Sequence, residues 1–365
     1  MASLVANDAN AVVVDAGLAS PPRVASSRVA TPHAAGDTTG RPYAALPARS
    51  ATLVRIAGLA VLCTATLVAP ALLLVWMPIV LGVPHVASDI RFLVLPLPRR
   101  QLVLALAACS ALVALKAASL VSGVPLLHVE MAVVATWLLA MLVLVQPTRR
   151  SHALARHAVI RPRKRTEAVW LTGLIAAFAI IMLPITFAFV AALAHNFVAV
   201  IAWIAVKRPA RRHAIAVIAV IGAAVAMLLL AGPAVASFTG GDASPWLTVD
   251  QAAGLMFRGL PLETGRALII AFAFLQAVHY AIWLDWIPRG APLTSDAARS
   301  TRRARLAGLA VAGATLVVIG AALVDAAWAR TTYLALATFH IYLELVILGA
   351  WLARRVQPRS LASAM

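Results

Sequence analysis

Charge is what this sequence has least of. Only 12% of its 365 residues are charged and 62% are hydrophobic, whereas soluble domains carry about 25% charged residues. Acidic side chains are especially scarce, with 13 Asp and Glu against 31 Lys and Arg, which gives a net charge of +18. A chain so poor in charge cannot cover a water-exposed surface. A soluble globular fold is therefore excluded, and the lipid bilayer is the expected solvent and partner.

The positive charge lies in short clusters between apolar runs. Two examples are "TRRSHALARHAVIRPRKR" and "KRPARRH". Clusters of this kind are typical of the loops that orient a membrane protein and contact anionic lipid head groups. They do not form the basic stripe of a nucleic-acid-binding domain. The sequence therefore predicts no nucleic-acid partner.

Cysteines and common catalytic motifs are also missing. The two cysteines, Cys63 and Cys109, lie inside apolar runs and neither has a CxxC partner, so neither a disulfide framework nor a thiolate metal site is expected. Walker A, GxGxxG, HExxH and GxSxG motifs are absent, as are the closely spaced histidine boxes of membrane desaturases. Any chemistry must come from polar residues inside the apolar runs.

The apolar runs predict an all-α, polytopic integral membrane helix bundle with about ten transmembrane helices. Helices are expected because backbone groups in lipid must be satisfied within their own segment. The runs lack the alternation of a β-barrel. The predicted spans are 51–77, 79–97, 101–121, 127–146, 167–185, 187–206, 213–236, 266–287, 305–324 and 331–352.

The loops between these spans are alternately basic and non-basic. The charge rule for short loops then predicts that both termini are cytoplasmic, in a bacterial-type inner (cytoplasmic) membrane. Residues 1–50 are rich in Ala, Ser, Pro and Gly, and we expect a disordered cytoplasmic tail there. The transmembrane helical domain is predicted to cover 51–353, and a short basic cytoplasmic tail 354–365.

Four of the nine histidines lie inside predicted spans, namely the second, sixth, eighth and tenth. They are His85, His195, His279 and His340. All four spans run in the same direction, and counting from their outer ends places the imidazoles at similar depths in the outer half of the bilayer. Ionisable residues inside a membrane usually face the bundle interior and mark function, although a single buried histidine more often serves packing. The set predicts one metal site, and imidazoles without thiolates favour iron or copper.

Carboxylates follow two of these histidines at helical spacing. Asp89 lies four residues after His85, and Glu344 lies four residues after His340, so each pair shares one helix face. Each carboxylate is expected to accept a hydrogen bond from its histidine and to orient it. Five further side chains complete the predicted site: Asn196 and Gln276 as hydrogen-bond partners, and Tyr280, Trp283 and Phe339 as the lining of a substrate pocket, with packing as their alternative role.

The segment "GVPHVASD" at 82–89 resembles the G-x-P-H-G-A-x-D motif of the bacterial Brp/Blh family. Members of that family are membrane β-carotene 15,15'-dioxygenases, which cleave carotene to retinal. The resemblance covers eight residues, and Val86 stands where the family has glycine. It implies that His85 is an iron ligand. The other three histidines are predicted as ligands from their depth alone.

Three functions remain open at this point. The first is a membrane-embedded iron oxygenase acting on a lipophilic polyene or isoprenoid. The second is a proton-coupled transporter, because histidine–carboxylate pairs inside membranes often relay protons. The third is a haem b electron carrier with paired axial histidines. No residue is assigned a catalytic role beyond metal binding.

Overall fold

A computed structural model of the chain describes the backbone of residues 48–145, 162–257, 259–288 and 297–356. These residues form eleven helices and no strand. In chain order the helices are α1 (Ala48–Val68), α2 (Pro70–Asp89), α3 (Arg99–Ser122), α4 (Leu127–Val145), α5 (Pro162–Met182), α6 (Pro184–Lys207), α7 (Arg211–Thr239), α8 (Val249–Met256), α9 (Leu262–Ala281), α10 (Ala297–Val324) and α11 (Ala326–Val356). Short π-helical turns, Ile90–Val94 and Ile282–Trp286, continue α2 and α9. The predicted tail at 1–50 lies almost entirely outside the described residues.

Nine of the described helices are long and apolar enough to cross a membrane: α1, α2, α3, α4, α6, α7, α9, α10 and α11. Helix α5 contributes a shorter apolar stretch, Glu167–Met182, and corresponds to the remaining predicted span. The prediction of an all-helical membrane bundle is therefore confirmed at this level. The last helix extends to Val356, its apolar span ends at Ala353, and most of the predicted tail at 354–365 lies outside the described residues.

The predicted break between the first two spans is wrong. It was placed at Pro78, but the chain leaves helical geometry at Ala69 (φ −144°, ψ 55°), and Pro70 opens α2. Proline suits the first turn of a helix because its missing N–H has no partner there. Pro78 lies inside α2, where it cannot donate to the carbonyl of Leu74. The Arg330 side chain does so instead, with Nε 2.7 Å from that carbonyl oxygen.

Single residues join two other helix pairs. Leu183 (φ −125°, ψ 54°) separates α5 from α6, which confirms the predicted division near Pro184. Asp325 separates α10 from α11, and its carboxylate accepts a hydrogen bond from the backbone N–H of Trp328 at 2.9 Å. This bond satisfies one of the free N–H groups at the start of α11.

The four histidine-bearing helices form a closed ring. They contact one another in the order α2, α9, α6, α11 and back to α2. In the span Leu262–Trp286, which contains α9, 61% of the most apolar stretch is buried inside the protein. The corresponding value for Arg305–Val324 of α10 is 6%. Helix α9 therefore lies at the centre of the bundle and α10 at its periphery.

Side-chain contacts show which helix ends lie together. The hydroxyl of Ser88 donates to the carbonyl of Trp283 at 2.8 Å, which joins the later parts of α2 and α9. Near the start of α1, the Arg55 guanidinium lies 5.5 Å and 5.6 Å from the ring centroids of Trp203 and Trp286. The start of α1 and the ends of α6 and α9 thus share one end of the bundle.

Candidate metal centre

The four intramembrane histidines contact one another in a ring. Their centroids are separated by 4.5 Å between His85 and His279, 4.8 Å between His279 and His195, 5.6 Å between His195 and His340, and 5.1 Å between His340 and His85. All four side chains are buried. The order of the rings follows the order in which their helices pack, so the helix ring positions the imidazoles.

The four histidines lie at similar positions along their helices. Because α2 begins at Pro70, 15 residues separate its first residue from His85. The other three histidines lie 11, 17 and 14 residues beyond the first residues of α6, α9 and α11. At about 1.5 Å per residue they are about 17–26 Å along their helices. The ring therefore lies near the middle of the four spans, and its depth in the bilayer stays a prediction.

Two carboxylates lie beside the closest pair of histidines. The Nε2 atoms of His85 and His279 are 3.0 Å apart. Asp89 Oδ2 lies 3.3 Å from Nε2 of His85, and Glu344 Oε1 lies 3.4 Å from Nε2 of His279. The Asp89 contact is the pair that the i,i+4 spacing predicted. Glu344 approaches His279 and not the predicted His340, because His279 on the neighbouring helix faces it across the ring.

Several polar atoms of this cluster meet at two imidazole nitrogens. A neutral imidazole carries one N–H, yet Nε2 of His85 meets both His279 and Asp89, and Nε2 of His279 also meets Glu344. One ligand atom from each of His85, His279 and Glu344 lies within 4.8 Å of the others. Nitrogen and oxygen atoms at these distances can share a proton or bind a common cation.

The other two histidines are oriented by backbone carbonyls. Nδ1 of His195 donates to the carbonyl of Ala192 at 2.7 Å, and Nδ1 of His340 donates to the carbonyl of Ala337. A carbonyl oxygen can only accept, so each Nδ1 carries the proton and each Nε2 keeps its lone pair. For His340 this bond replaces the carboxylate partner that the sequence predicted. The carbonyl three residues earlier is within reach because both groups lie on one helix.

The two predicted amide partners bind elsewhere. Asn196 Nδ2 donates to the carbonyl of Ala192 at 3.3 Å on its own helix. Gln276 Nε2 donates to the hydroxyl of Tyr280 at 3.2 Å. Neither amide has a hydrogen bond to a histidine among the described residues. A nearer acceptor on the same helix is available to each, so their predicted supporting role at the site stays a prediction.

Two of the three predicted aromatic side chains lie beside the ring. The centroids of Tyr280 and Trp283 are 5.1 Å and 6.3 Å from that of His85, and both side chains are buried. Phe339 instead packs against a hydrophobic cluster that includes residues of α3 and α4. Neighbouring residues on a helix point about 100° apart, so Phe339 turns away when His340 faces the ring.

Tyr333 was missed by the sequence analysis. Tyr333 on α11 packs against Gly82 of α2. A Cβ atom on Gly82 would overlap the Tyr333 ring, so the absence of a side chain at Gly82 makes room for that ring. The Tyr333 hydroxyl is buried and has no hydrogen-bond partner among the described residues. The signal was Gly82 itself, three residues before His85, because glycine inside a helix often permits close approach of a neighbour.

No comparison with a known protein helps to interpret this centre. Comparisons with protein-family models, curated proteins and solved structures give no match. The resemblance at 82–89 to the Brp/Blh motif therefore stays a prediction. What the site can do must be inferred from its own donor atoms.

Proposed function

We propose that this protein is a membrane-embedded, histidine-ligated metalloprotein. The observation that carries the proposal is the 3.0 Å separation between the Nε2 atoms of His85 and His279. In the proposed site these two nitrogens and Glu344 bind the ion. His195 and His340 belong to the same ring of imidazoles but are not among the ligand atoms within 4.8 Å of one another, and we propose them as additional ligands.

The distances fit a common ion. Ligands about 2.0–2.1 Å from a metal are about 2.9–3.4 Å from one another when the angles between them are 90–109°. Two contacts between the proposed ligand atoms, at 3.0 and 3.4 Å, fall in that range, and all three ligand atoms lie within 4.8 Å of one another. Four imidazoles with carboxylate oxygens and no thiolate suit iron. The residues present therefore fit the metal that the motif at 82–89 implies.

The proposed activity is oxygenation of a lipophilic polyene or isoprenoid. Iron would supply the oxygen chemistry, and the protein supplies binding, orientation and a dry environment. Tyr280 and Trp283 form an aromatic wall beside His85, and such a wall favours an apolar, conjugated molecule. The substrate would reach it laterally from the bilayer. The similarity of 82–89 to the carotene-cleaving family supports this substrate class.

A proton-coupled transporter is the second candidate. It is favoured by Asp89, which is fully buried, and whose two oxygens have no hydrogen-bond partner among the described residues. A carboxylate in this position can hold and release a proton beside His85. The third candidate, a haem b carrier, is not favoured, because imidazoles in direct contact leave no gap for a porphyrin between them.

We further propose ten crossings with cytoplasmic termini in a bacterial-type inner membrane. The contacts of Arg55 group the start of α1 with the ends of α6 and α9. The basic residues Lys207, Arg208, Arg211 and Arg212 lie between α6 and α7 at that same end. Positive residues concentrated at one end of a bundle favour the cytoplasmic side for that end.

Metal analysis with an optical spectrum tests the proposal. The chain is expressed with added iron, purified in detergent, and compared with His85→Ala/His279→Ala. The double variant His128→Ala/His213→Ala is the control, because it removes two histidines outside the ring. We expect about one iron per chain in wild type and control and almost none in the ring variant. Iron near zero in the wild type, with pH-dependent uptake into vesicles, would overturn the proposal in favour of the transporter.

A further inference from the structure

A groove runs between α3 and α4 on the surface of the bundle, and none of its lining residues belongs to the histidine ring. It has a volume of about 730 Å³, with apolar walls that include Val103, Ala140 and Val143. Val103 and Val143 are 59% and 57% exposed. Because both lie on helices apolar enough to span a membrane, the groove is covered by lipid chains when the protein is in a bilayer.

Two arginines line one end of this groove. Arg99 and Arg100 form the first two residues of α3 and are exposed. None of the residues that line the groove is acidic. Beneath the arginines, Gln101 Nε2 donates to the carbonyl of Leu144 at 3.2 Å. This bond satisfies a carbonyl in the last turn of α4 and fixes α3 against α4 where the charges lie.

The position of the arginines is unfavourable without an anion. A helix N-terminus carries partial positive charge and favours negative groups. The first turn of α3 contains no acidic residue, and its N-cap, Pro98, makes no side-chain capping bond. Two guanidinium groups therefore add to the positive helix end. A phosphate there would bind the guanidinium groups by charge-assisted hydrogen bonds and oppose the helix dipole.

From this charge and the apolar groove below it, we propose that the groove between α3 and α4 binds an anionic phospholipid. The head-group phosphate lies at Arg99 and Arg100, and an acyl chain lies along Val103, Ala140 and Val143. A zwitterionic lipid fits less well because its choline cation brings positive charge to the same end. The site needs no metal, so it is independent of the proposed function.

Native mass spectrometry of the full chain in detergent tests the site. Phosphatidylglycerol and phosphatidylcholine are titrated separately against wild type, Arg99→Gln/Arg100→Gln and Ala140→Phe. The matched control is Arg211→Gln/Arg212→Gln, which removes two exposed arginines from the first turn of α7 outside the groove. Size exclusion and thermal unfolding verify that each variant is folded.

Wild type is expected to retain phosphatidylglycerol in preference to phosphatidylcholine. The Arg99/Arg100 variant should lose about fivefold in phosphatidylglycerol affinity per arginine, the effect typical of one basic residue at an anionic surface. Ala140→Phe should weaken the same binding by filling the groove, and the α7 control should not. Equal losses in the two double variants, or equal affinity of the wild type for both lipids, would overturn the proposal.

Discussion

His85 and His279 are 194 residues apart in the sequence, yet their Nε2 atoms are 3.0 Å apart. Neither Nδ1 atom has a hydrogen-bond partner among the described residues, so neither ring is oriented by a carbonyl as His195 and His340 are. The polar contacts of both rings are concentrated on one nitrogen. The two nitrogens and their carboxylates therefore form one electrostatic unit, and changes to any member should be felt by the others.

The carboxylates should differ in their effect on metal binding. Glu344→Gln is expected to weaken it more than Asp89→Asn, since Glu344 shares the 4.8 Å cluster with both closest histidines. Loss of an outer partner typically costs about 10–100-fold, and we expect Asp89→Asn within that range and Glu344→Gln beyond it. Competition with a chelator measures both. Glu130→Gln is the control, because that buried carboxylate pairs with Lys116 at 2.8 Å instead. A larger loss for Asp89→Asn would contradict the assignment.

Arg330 should stabilise the bundle by donating to the Leu74 carbonyl in place of the N–H that Pro78 lacks. Arg330→Met removes the bond to the Leu74 carbonyl and leaves that group unsatisfied, at a cost of about 1–3 kcal/mol. In a Pro78→Ala background the new N–H of residue 78 can donate to Leu74, so the same change should cost less. Thermal or denaturant unfolding of the four proteins gives the coupling energy. Equal costs in both backgrounds would show that Arg330 acts in another way.

Gly82→Ala should destabilise the protein by overlap with Tyr333. Adding a methyl group to a filled site typically costs about 1–3 kcal/mol, and a lower melting temperature in detergent would report it. Gly222→Ala is the control, because nothing lies within 4 Å of a Cβ at that position. Combining Gly82→Ala with Tyr333→Leu should recover part of the loss. A neutral Gly82→Ala would mean that Tyr333 moves freely.

Asp250 on α8, outside the spans, pairs with Arg266 in the first turns of α9, and this ion pair should give a small pH dependence. The Arg266 guanidinium donates to both oxygens of Asp250 and holds the pKa of that carboxyl below its ordinary value of 3.8. The folded state therefore favours the ionised form, and this stabilisation is present above about pH 4 and lost as pH falls through the lowered pKa. Because Asp250 is 43% exposed, we expect less than about 1 kcal/mol. Unfolding of wild type and Asp250→Asn should differ at pH 6 and converge near pH 2.

Reporter fusions should establish the orientation of the bundle. Fusions at residues 155, 210 and 295 are expected to report the cytoplasm, and one at residue 250 the opposite side, because basic loops remain inside. Alkaline phosphatase and a fluorescent protein give complementary signals. An external signal at 210 would contradict the ten-span topology.

The convergence of the four histidines could be predicted from the sequence, because an imidazole that faces lipid is energetically costly. An imidazole inside an apolar span is expected to face other parts of the protein. Helical spacing then predicted Asp89 beside His85. It failed for Glu344 because spacing along one helix cannot reveal a nearer partner on another. The contact between His279 and Glu344 depends on how α9 and α11 pack.

Local chemistry explains the other failures. Pro78 was predicted to end a helix because proline removes a hydrogen bond, and only the packed structure shows Arg330 replacing the donor. Arg330 itself was assigned to a loop, one residue before the predicted span at 331–352. Moving the break to Ala69 lengthened α2 and shifted His85 toward the middle of its helix.

The single-residue joints at Ala69, Leu183 and Asp325 should resist limited proteolysis. Contacts between Thr239 and Val68 and between Arg330 and Leu74 group the first and third of these joints at one face of the bundle. A protease must draw several extended residues into its cleft, and a joint of one residue between two helices offers none. Cleavage from this face should therefore concentrate in the segments on either side of α8.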